Sequence, residues 1–180
     1  PKYTGFFKAK NFEVYQEMAK RNGLLPQAKD FLMASGKLQT ICYKHDIEAA
    51  LRTPAFGGFQ LLDLHDFPGQ GTALIGVLDA FWDSKGYVTA DEYARFAGPV
   101  VPLAKLKKMT WQTNETMEAE LQLCHFGPSH FRGLEPIWKL TDGETIVAEG
   151  SLPARDVAAG GLRDLGSIRI PLEKLKAPAQ

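Results

Sequence analysis

The sequence lacks an excess of charge of either sign and any long apolar run. Its 180 residues carry 21 basic and 21 acidic side chains, so the formal net charge is zero. Because no general field attracts a polyanion, nucleic-acid binding is not expected. No apolar run approaches the ~20 residues that span a bilayer, and the first ten residues, "PKYTGFFKAK", lack the apolar core of a signal peptide. We therefore expect no membrane partner.

The sequence is also poor in cysteine and in the motifs that hold metals, phosphates or catalytic serines. Cys42 and Cys124 lie far apart and form no CxxC pair, so neither a zinc ribbon nor a disulfide scaffold is expected, and both are read as buried apolar side chains. The "GQG" after Pro68 lacks the lysine of a P-loop, and GxGxxG and GxSxG are absent. No metal, cofactor or nucleophilic serine is predicted.

Helical periodicity dominates the first part of the chain. Residues 11–22 place apolar side chains at helical spacing, with Asn11 as the N-cap and Gly23 as the stop. A longer helix is predicted from 27 to 52, with an apolar stripe that includes Phe31, Leu32, Leu38, Ile41 and Cys42. A third begins at Thr89, where Glu92 completes a capping box, and ends at Gly98-Pro99.

Between these helices, "GGFQLLDLHDFPGQG" opens with a nearly continuous apolar run. Residues 59–64 are predicted to form a strand buried on both faces, followed by a polar loop, as in one step of an α/β unit. The spacing of "DLHD" puts Asp63 and His65 on one face of that strand and Asp66 at the turn. These residues are interpreted as ligand-facing, as a weakly supported metal set, or as polar groups that bond the loop backbone.

An aromatic residue and an acid, Trp82 and Asp83, follow in "DAFWDSKGY". Such a pair can stack on a sugar and hydrogen-bond to it, although a tryptophan of this kind is more often packed inside the fold. A glycosidase needs two carboxylates as acid and base or nucleophile, and nothing marks two of the nearby aspartates as that pair.

From about Lys107 onward the pattern changes to the period of two that is typical of strands. "TMEAELQLCHF" and "GSIRIPL" alternate, and Asp142-Gly143 in "PIWKLTDGETIVAEG" predicts a hairpin. The chain is thus predicted to be α+β: an α/β-barrel remnant over 1–106, a linker "GPVVPLAKLKK", and an antiparallel, immunoglobulin-like β-sandwich over 107–180. With four or five strands visible, the sandwich is expected to be truncated.

The stretch from Gly57 to Leu103 resembles the end of the catalytic barrel in bacterial glycoside hydrolases related to family 2, the β-galactosidase-like enzymes. Members carry GGF-I-W-D-W-x-D on the eighth barrel strand and then G-L-x-D…P-K-P…Y. This sequence matches at Gly57, Gly58, Phe59, Asp63 and Asp66, and then at Gly76, Leu78, Asp79, Lys85 and Tyr93. Leu61 and Leu62 replace a substrate-stacking tryptophan, a role that Trp82 can assume only if its loop folds back. The run from Thr110 to Gly150 is similar to the β-sandwich that follows the barrel.

The resemblance implies a retaining glycoside hydrolase that acts on β-linked sugars. It also implies that both catalytic glutamates precede this sequence, which opens at Pro1 and is expected to be an inactive piece of a longer protein. The substrate-binding residues would then be Asp63, His65, Asp66, Gln70 and Trp82, with no catalytic residue among them. Strand 57–65 without its neighbours would also favour self-association.

The rival hypotheses place the function elsewhere. The chain can be a non-catalytic carbohydrate-binding or interdomain module whose β portion works through Trp111 or Trp138. It can also serve only to brace a barrel.

Overall fold

The computed structural model describes residues 10–67 and 74–178, and its fold class is α+β with sandwich-like antiparallel sheets, as predicted. The helices are α1 (Lys10–Arg21), a 3-10 turn (Leu25–Gln27), α2 (Ala28–Arg52) and α3 (Ala90–Ala97). The strands are β1 (Val100–Leu106), β2 (Thr116–His125), β3 (Phe131–Leu134), β4 (Ile137–Asp142), β5 (Thr145–Ser151), β6 (Arg155–Val157) and β7 (Gly161–Pro171). None of the described helices is long and apolar enough to cross a membrane.

Helix α1 ends as its sequence predicts. Gly23 adopts φ 68°, and its N–H donates to the Lys20 carbonyl at 3.1 Å while the Leu24 N–H donates to the Ala19 carbonyl at 2.8 Å. These two bonds are those of a Schellman motif, in which a left-handed glycine closes the helix. The predicted N-cap is wrong, because Asn11 lies inside the helix.

Helix α2 matches the predicted span, but its apolar stripe is not covered. Phe31, Leu32, Leu38 and Ile41 are 49%, 48%, 61% and 51% exposed. Cys42 is exposed too, whereas Cys124 is buried as expected. The α2 glycine has a packing reason: a Cβ at Gly36 would lie closer than 3.0 Å to ring atoms of Tyr87.

The predicted buried strand over 59–64 is wrong. These residues form no strand, and Phe59, Leu62 and Leu64 are 43%, 79% and 39% exposed. Apolar residues alone do not make a strand, because a strand also needs a neighbour to accept its hydrogen bonds. The nearest pairing in the described part of the chain is a single parallel bridge between His65 and Leu78.

The capping box that was predicted for α3 is confirmed. The Thr89 hydroxyl accepts the Glu92 N–H at 3.1 Å, and the Glu92 carboxylate accepts the Thr89 N–H at 2.8 Å. Two of the donors that a helix N-terminus leaves unpaired are satisfied in this way.

The β portion contains more strands than the sequence suggested. Strands β1, β2 and β7 form one antiparallel sheet in that order, while β3 pairs with β6 and β4 with β5. The segment interpreted as a linker is in fact β1, which pairs along its length with β2. Pro102 is tolerated there because β1 is an edge strand. The β4–β5 hairpin is confirmed, with Gly143 at φ 58° in its two-residue turn.

The chain divides into two compact units, residues 1–47 with 58–94 and residues 48–57 with 95–180. The second unit holds two apolar clusters. One comprises Val101, Leu103 and Cys124 with Leu51 and Leu162 against it, and the other is centred on Leu123, Val157 and Leu165. The domain boundary between 106 and 107 stays a prediction.

Candidate functional site

Asp66 is the structural anchor of the candidate site in the first unit. It is 3% exposed, and its Oδ1 accepts both the Lys85 ammonium at 2.7 Å and the Gly76 N–H at 3.0 Å. Its own N–H donates to the Leu78 carbonyl at 3.0 Å. A buried carboxylate needs such partners, because an unpaired charge would be strongly destabilising. Asp66 therefore fixes the segment around His65 to the segment around Gly76.

The backbones approach so closely there that no side chain fits. A Cβ at Gly76 would lie closer than 3.0 Å to backbone atoms of His65 and Asp66. This glycine was noted in the sequence only through the family resemblance. Its physical requirement comes from a contact ten or more positions away along the chain.

His65 is half-buried, and one of its ring nitrogens is committed. Nδ1 lies 2.7 Å from the backbone oxygen of Asp66. Because a carbonyl oxygen only accepts, Nδ1 must carry the hydrogen, which assigns the lone pair of the neutral ring to Nε2. The side chain is therefore oriented with a hydrogen-bond acceptor at Nε2.

Trp82 is presented by a turn that Asp79 organises. Asp79 Oδ1 accepts the N–H groups of Phe81 and Asp83 at 2.8 and 3.0 Å, and its carbonyl accepts the Trp82 N–H at 3.0 Å. Trp82 itself adopts φ 67°, which is uncommon for a bulky residue. The turn thus leaves the indole 61% exposed.

The same turn brings Trp82 beside His65. Their ring centroids lie 4.4 Å apart with the planes inclined by 41°. The loop that carries the tryptophan thus folds back toward the end of the "DLHD" segment. Sequence reasoning had no signal for this contact, which joins residues 17 positions apart.

The two other predicted site residues are Asp63 and Gln70. Asp63 is partly exposed and, within residues 10–67 and 74–178, makes no hydrogen bond or ion pair. None of those residues therefore occupies the Asp63 carboxylate, which can accept a hydrogen bond from a ligand. Gln70 lies outside the described residues.

A cluster of polar side chains from α2 and Tyr87 contacts the backbone of residues 75–76 next to the site, and the sequence did not predict this cluster. The Tyr87 hydroxyl lies 2.9 Å from the Gly76 carbonyl oxygen and 3.1 Å from Gln39 Oε1. The Gln39 amide and the Tyr43 hydroxyl both donate to the Ile75 carbonyl. Burial, and then the charges of Asp66 and Tyr43, raise the pKa of Tyr87 above its ordinary value. The phenol therefore stays neutral and holds the 75–76 backbone against the helix.

Part of the acidic side chains near the site serves the local structure. Asp66 and Asp79, two of the four aspartates near the site, are committed to structural hydrogen bonds. Within the described residues no group of three or more His, Cys, Asp or Glu side chains could hold a metal ion. An aromatic face, an imidazole acceptor and the Asp63 carboxylate remain accessible.

The two tryptophans of the β portion are used in packing. The Lys108 ammonium lies 4.6 Å from the centroid of Trp111. Trp138 pairs with Gly150, where a Cβ would lie 2.8 Å from the indole. Neither ring is presented as openly as Trp82, so neither has the form of a sugar platform.

The C-terminal part of the chain is similar to a known family. Residues 115–180, which span β2 to β7, match the model of a family described as a domain of unknown function, DUF8488. No curated protein matches the chain. The match covers the larger part of the β portion and leaves the candidate site outside it.

Proposed function

We propose that the first unit forms part of the rim of a sugar-binding site in a retaining glycoside hydrolase related to family 2. In this proposal Trp82 is the stacking platform, and Asp63, His65 and Gln70 bond sugar hydroxyls. Asp66 contributes by holding this segment in place. The two catalytic glutamates come from other parts of the parent enzyme, so the chain by itself does not turn over substrate.

The observation that carries the proposal is the exposed indole of Trp82 beside His65. A tryptophan that is 61% exposed leaves a large apolar surface in water, and this exposure is enforced by a turn with several backbone hydrogen bonds. The CH-rich face of a pyranose covers such a ring, while its hydroxyls reach the polar groups beside it. An adjacent acceptor and an uncommitted carboxylate supply those groups.

The weak core of the first unit supports its origin in a larger α/β body. Among its described apolar residues only Ile47, Val77 and Tyr87 are buried. In contrast, the apolar side chains of α1 and of the first half of α2 are about half exposed, including Phe12, Tyr15, Met18, Phe31 and Leu38. Helices of a barrel show this pattern when the strands that cover them are removed.

The alternative, a carbohydrate-binding module that works through the β portion, has less support. It needs Trp111 or Trp138 to be a platform, and both rings are packed against neighbouring residues. The contrast between these two rings and Trp82 is what favours the first unit.

The proposal is tested by titrating the chain with phenyl β-galactoside while tryptophan emission is recorded. Saturable binding is expected, and Trp82→Ala should weaken it about tenfold, since stacking on an aromatic ring is worth roughly 1.5 kcal/mol. Trp138→Phe is the matched control and should leave the affinity unchanged. Binding that depends on Trp138 instead of Trp82 would transfer the function to the β portion.

A second measurement tests the absence of catalysis. The chain should release no para-nitrophenol from para-nitrophenyl β-galactoside above the buffer rate. Turnover that survives purification over several columns would show that the chain holds a catalytic pair of its own.

A further inference from the structure

We infer that His65 and Trp82 form a pH-sensitive contact that regulates the sugar site. When Nε2 of His65 gains a proton, the imidazolium holds the Trp82 indole more tightly and no longer accepts a hydrogen bond from a ligand hydroxyl. The contact itself follows from the geometry of the first unit. Its regulatory consequence rests on the proposed function.

The geometry fixes which atom takes up the proton. Nδ1 is already protonated in the neutral ring, because it donates to the Asp66 carbonyl at 2.7 Å. A further proton is therefore taken up at Nε2. Asp66 is in turn held by Lys85 and by the Gly76 N–H, so the imidazole keeps this orientation in both charge states.

Protonation strengthens the contacts that the ring already makes. A cation within about 6 Å of an indole centroid is attracted by the ring quadrupole, and the two centroids here are 4.4 Å apart. The bond from Nδ1 to the Asp66 carbonyl also becomes charge-assisted and hence stronger. Both changes favour the arrangement in which the Trp82 indole contacts the imidazolium.

The segments around His65 carry five charged side chains. Asp63 and Asp66 lie in the 63–66 segment, Asp79 and Asp83 lie in the turn of Trp82, and Lys85 forms the ion pair with Asp66. The charges of Asp66 and Lys85 cancel in their ion pair. The three other groups are carboxylates, and residues 68–73 contain no ionisable side chain.

The consequence for a neutral sugar is weaker binding in acid. Neutral Nε2 accepts a hydrogen bond from a sugar hydroxyl, whereas protonated Nε2 carries a hydrogen and cannot accept one. Histidine side chains commonly change their charge between about pH 8 and about pH 5. Loss of one hydrogen bond to a neutral group corresponds to a decrease in affinity of about 2- to 10-fold.

The contact is tested without any ligand in the variant Trp111→Phe/Trp138→Phe, which keeps Trp82 as its one tryptophan. An imidazolium quenches indole emission more strongly than a neutral imidazole does. We therefore expect emission to fall in a single step as the pH is lowered from about 8 to about 5. The step should be lost in His65→Gln and kept in His45→Gln, which removes an exposed histidine of α2.

Circular dichroism at both pH values guards against unfolding as the cause of the step. A step that persists in His65→Gln, or a flat profile in a chain that stays folded, would overturn the inference. If the step depends on His65 but phenyl β-galactoside does not bind at any pH, the contact stands and the proposed function fails. If the sugar binds with equal affinity at both pH values, the contact does not regulate the site.

Discussion

Replacing Lys85 with methionine removes one partner of the buried ion pair that anchors the candidate site. Methionine keeps most of the length and the apolar stem of the lysine. The Asp66 carboxylate then loses its counter-ion while its side chain, which is only 5% exposed, stays in place. The change therefore isolates the charge of Lys85 from its packing.

The expected cost follows from the burial of the pair. Removing one member of a buried ion pair costs about 3–5 kcal/mol. The lower end applies here, because Lys85 is 15% exposed and the Gly76 N–H continues to bond to Asp66. A loss of about 3 kcal/mol raises the population of the locally opened state roughly 100-fold.

The assay is native-state amide hydrogen exchange, which reports local opening. Three amides depend on this anchor: those of Asp66, Gly76 and Leu78, which bond to the Leu78 carbonyl, the Asp66 carboxylate and the Leu64 carbonyl. Their exchange should accelerate roughly 100-fold in Lys85→Met. Amides of the β2–β7 ladder belong to the other unit and should keep their rates.

The double variant Asp66→Asn/Lys85→Met provides the internal check. With the unpaired charge removed, exchange at Gly76 should be slower than in Lys85→Met alone. The reasoning is refuted if the single variant changes these rates by less than about threefold, or if the double variant exchanges as fast as the single one.

Three further predictions concern packing, pH and association. Gly36→Ala gains about 1 kcal/mol of helix propensity, but its methyl group collides with the Tyr87 ring at a cost of about 1–3 kcal/mol. The midpoint of urea unfolding should therefore fall. The control Gly57→Ala, whose Cβ would have no atom within 4 Å, should not lower that midpoint. Hydrogen bonds from a backbone amide and an arginine hold the pKa of Asp156 below its ordinary value, so this stabilisation is present above about pH 4 and is lost as the pH falls through the lower folded value. The melting temperature of Asp156→Asn should accordingly drop less between about pH 6 and about pH 3 than that of the unchanged chain. Phe12 is 50% exposed on the apolar face of α1, so Phe12→Ser should reduce self-association measured by light scattering, and a monomeric unchanged chain at high concentration would contradict this.

Local chemistry determined the helices, the capping box and the hairpin, and these could be predicted. The stop at Gly23, the Thr89–Glu92 box and the Gly143 turn each depend on side chains and dihedral angles within a few residues. The alternation of β2 likewise predicted its strand, because one face of the strand is more buried than the other.

Pairing and burial could not be predicted in the same way. Residues 59–64 have the composition of a buried strand but lack a partner to complete it, whereas the proline-containing segment read as a linker has such a partner in β2. Whether an apolar run becomes a strand depends on a neighbour that can accept its hydrogen bonds, and that neighbour lies elsewhere in the chain.

For the candidate site, the sequence by itself determined the inventory of groups: two aspartates and a histidine in "DLHD", and a tryptophan beside an acid. The tertiary structure decided their roles. It buried Asp66 against Lys85, committed Nδ1 of His65 to a carbonyl, and brought the Trp82 ring to 4.4 Å from the imidazole. A side chain acquires such a role only from the distances and burial that the folded chain imposes, and those depend on residues far away in sequence.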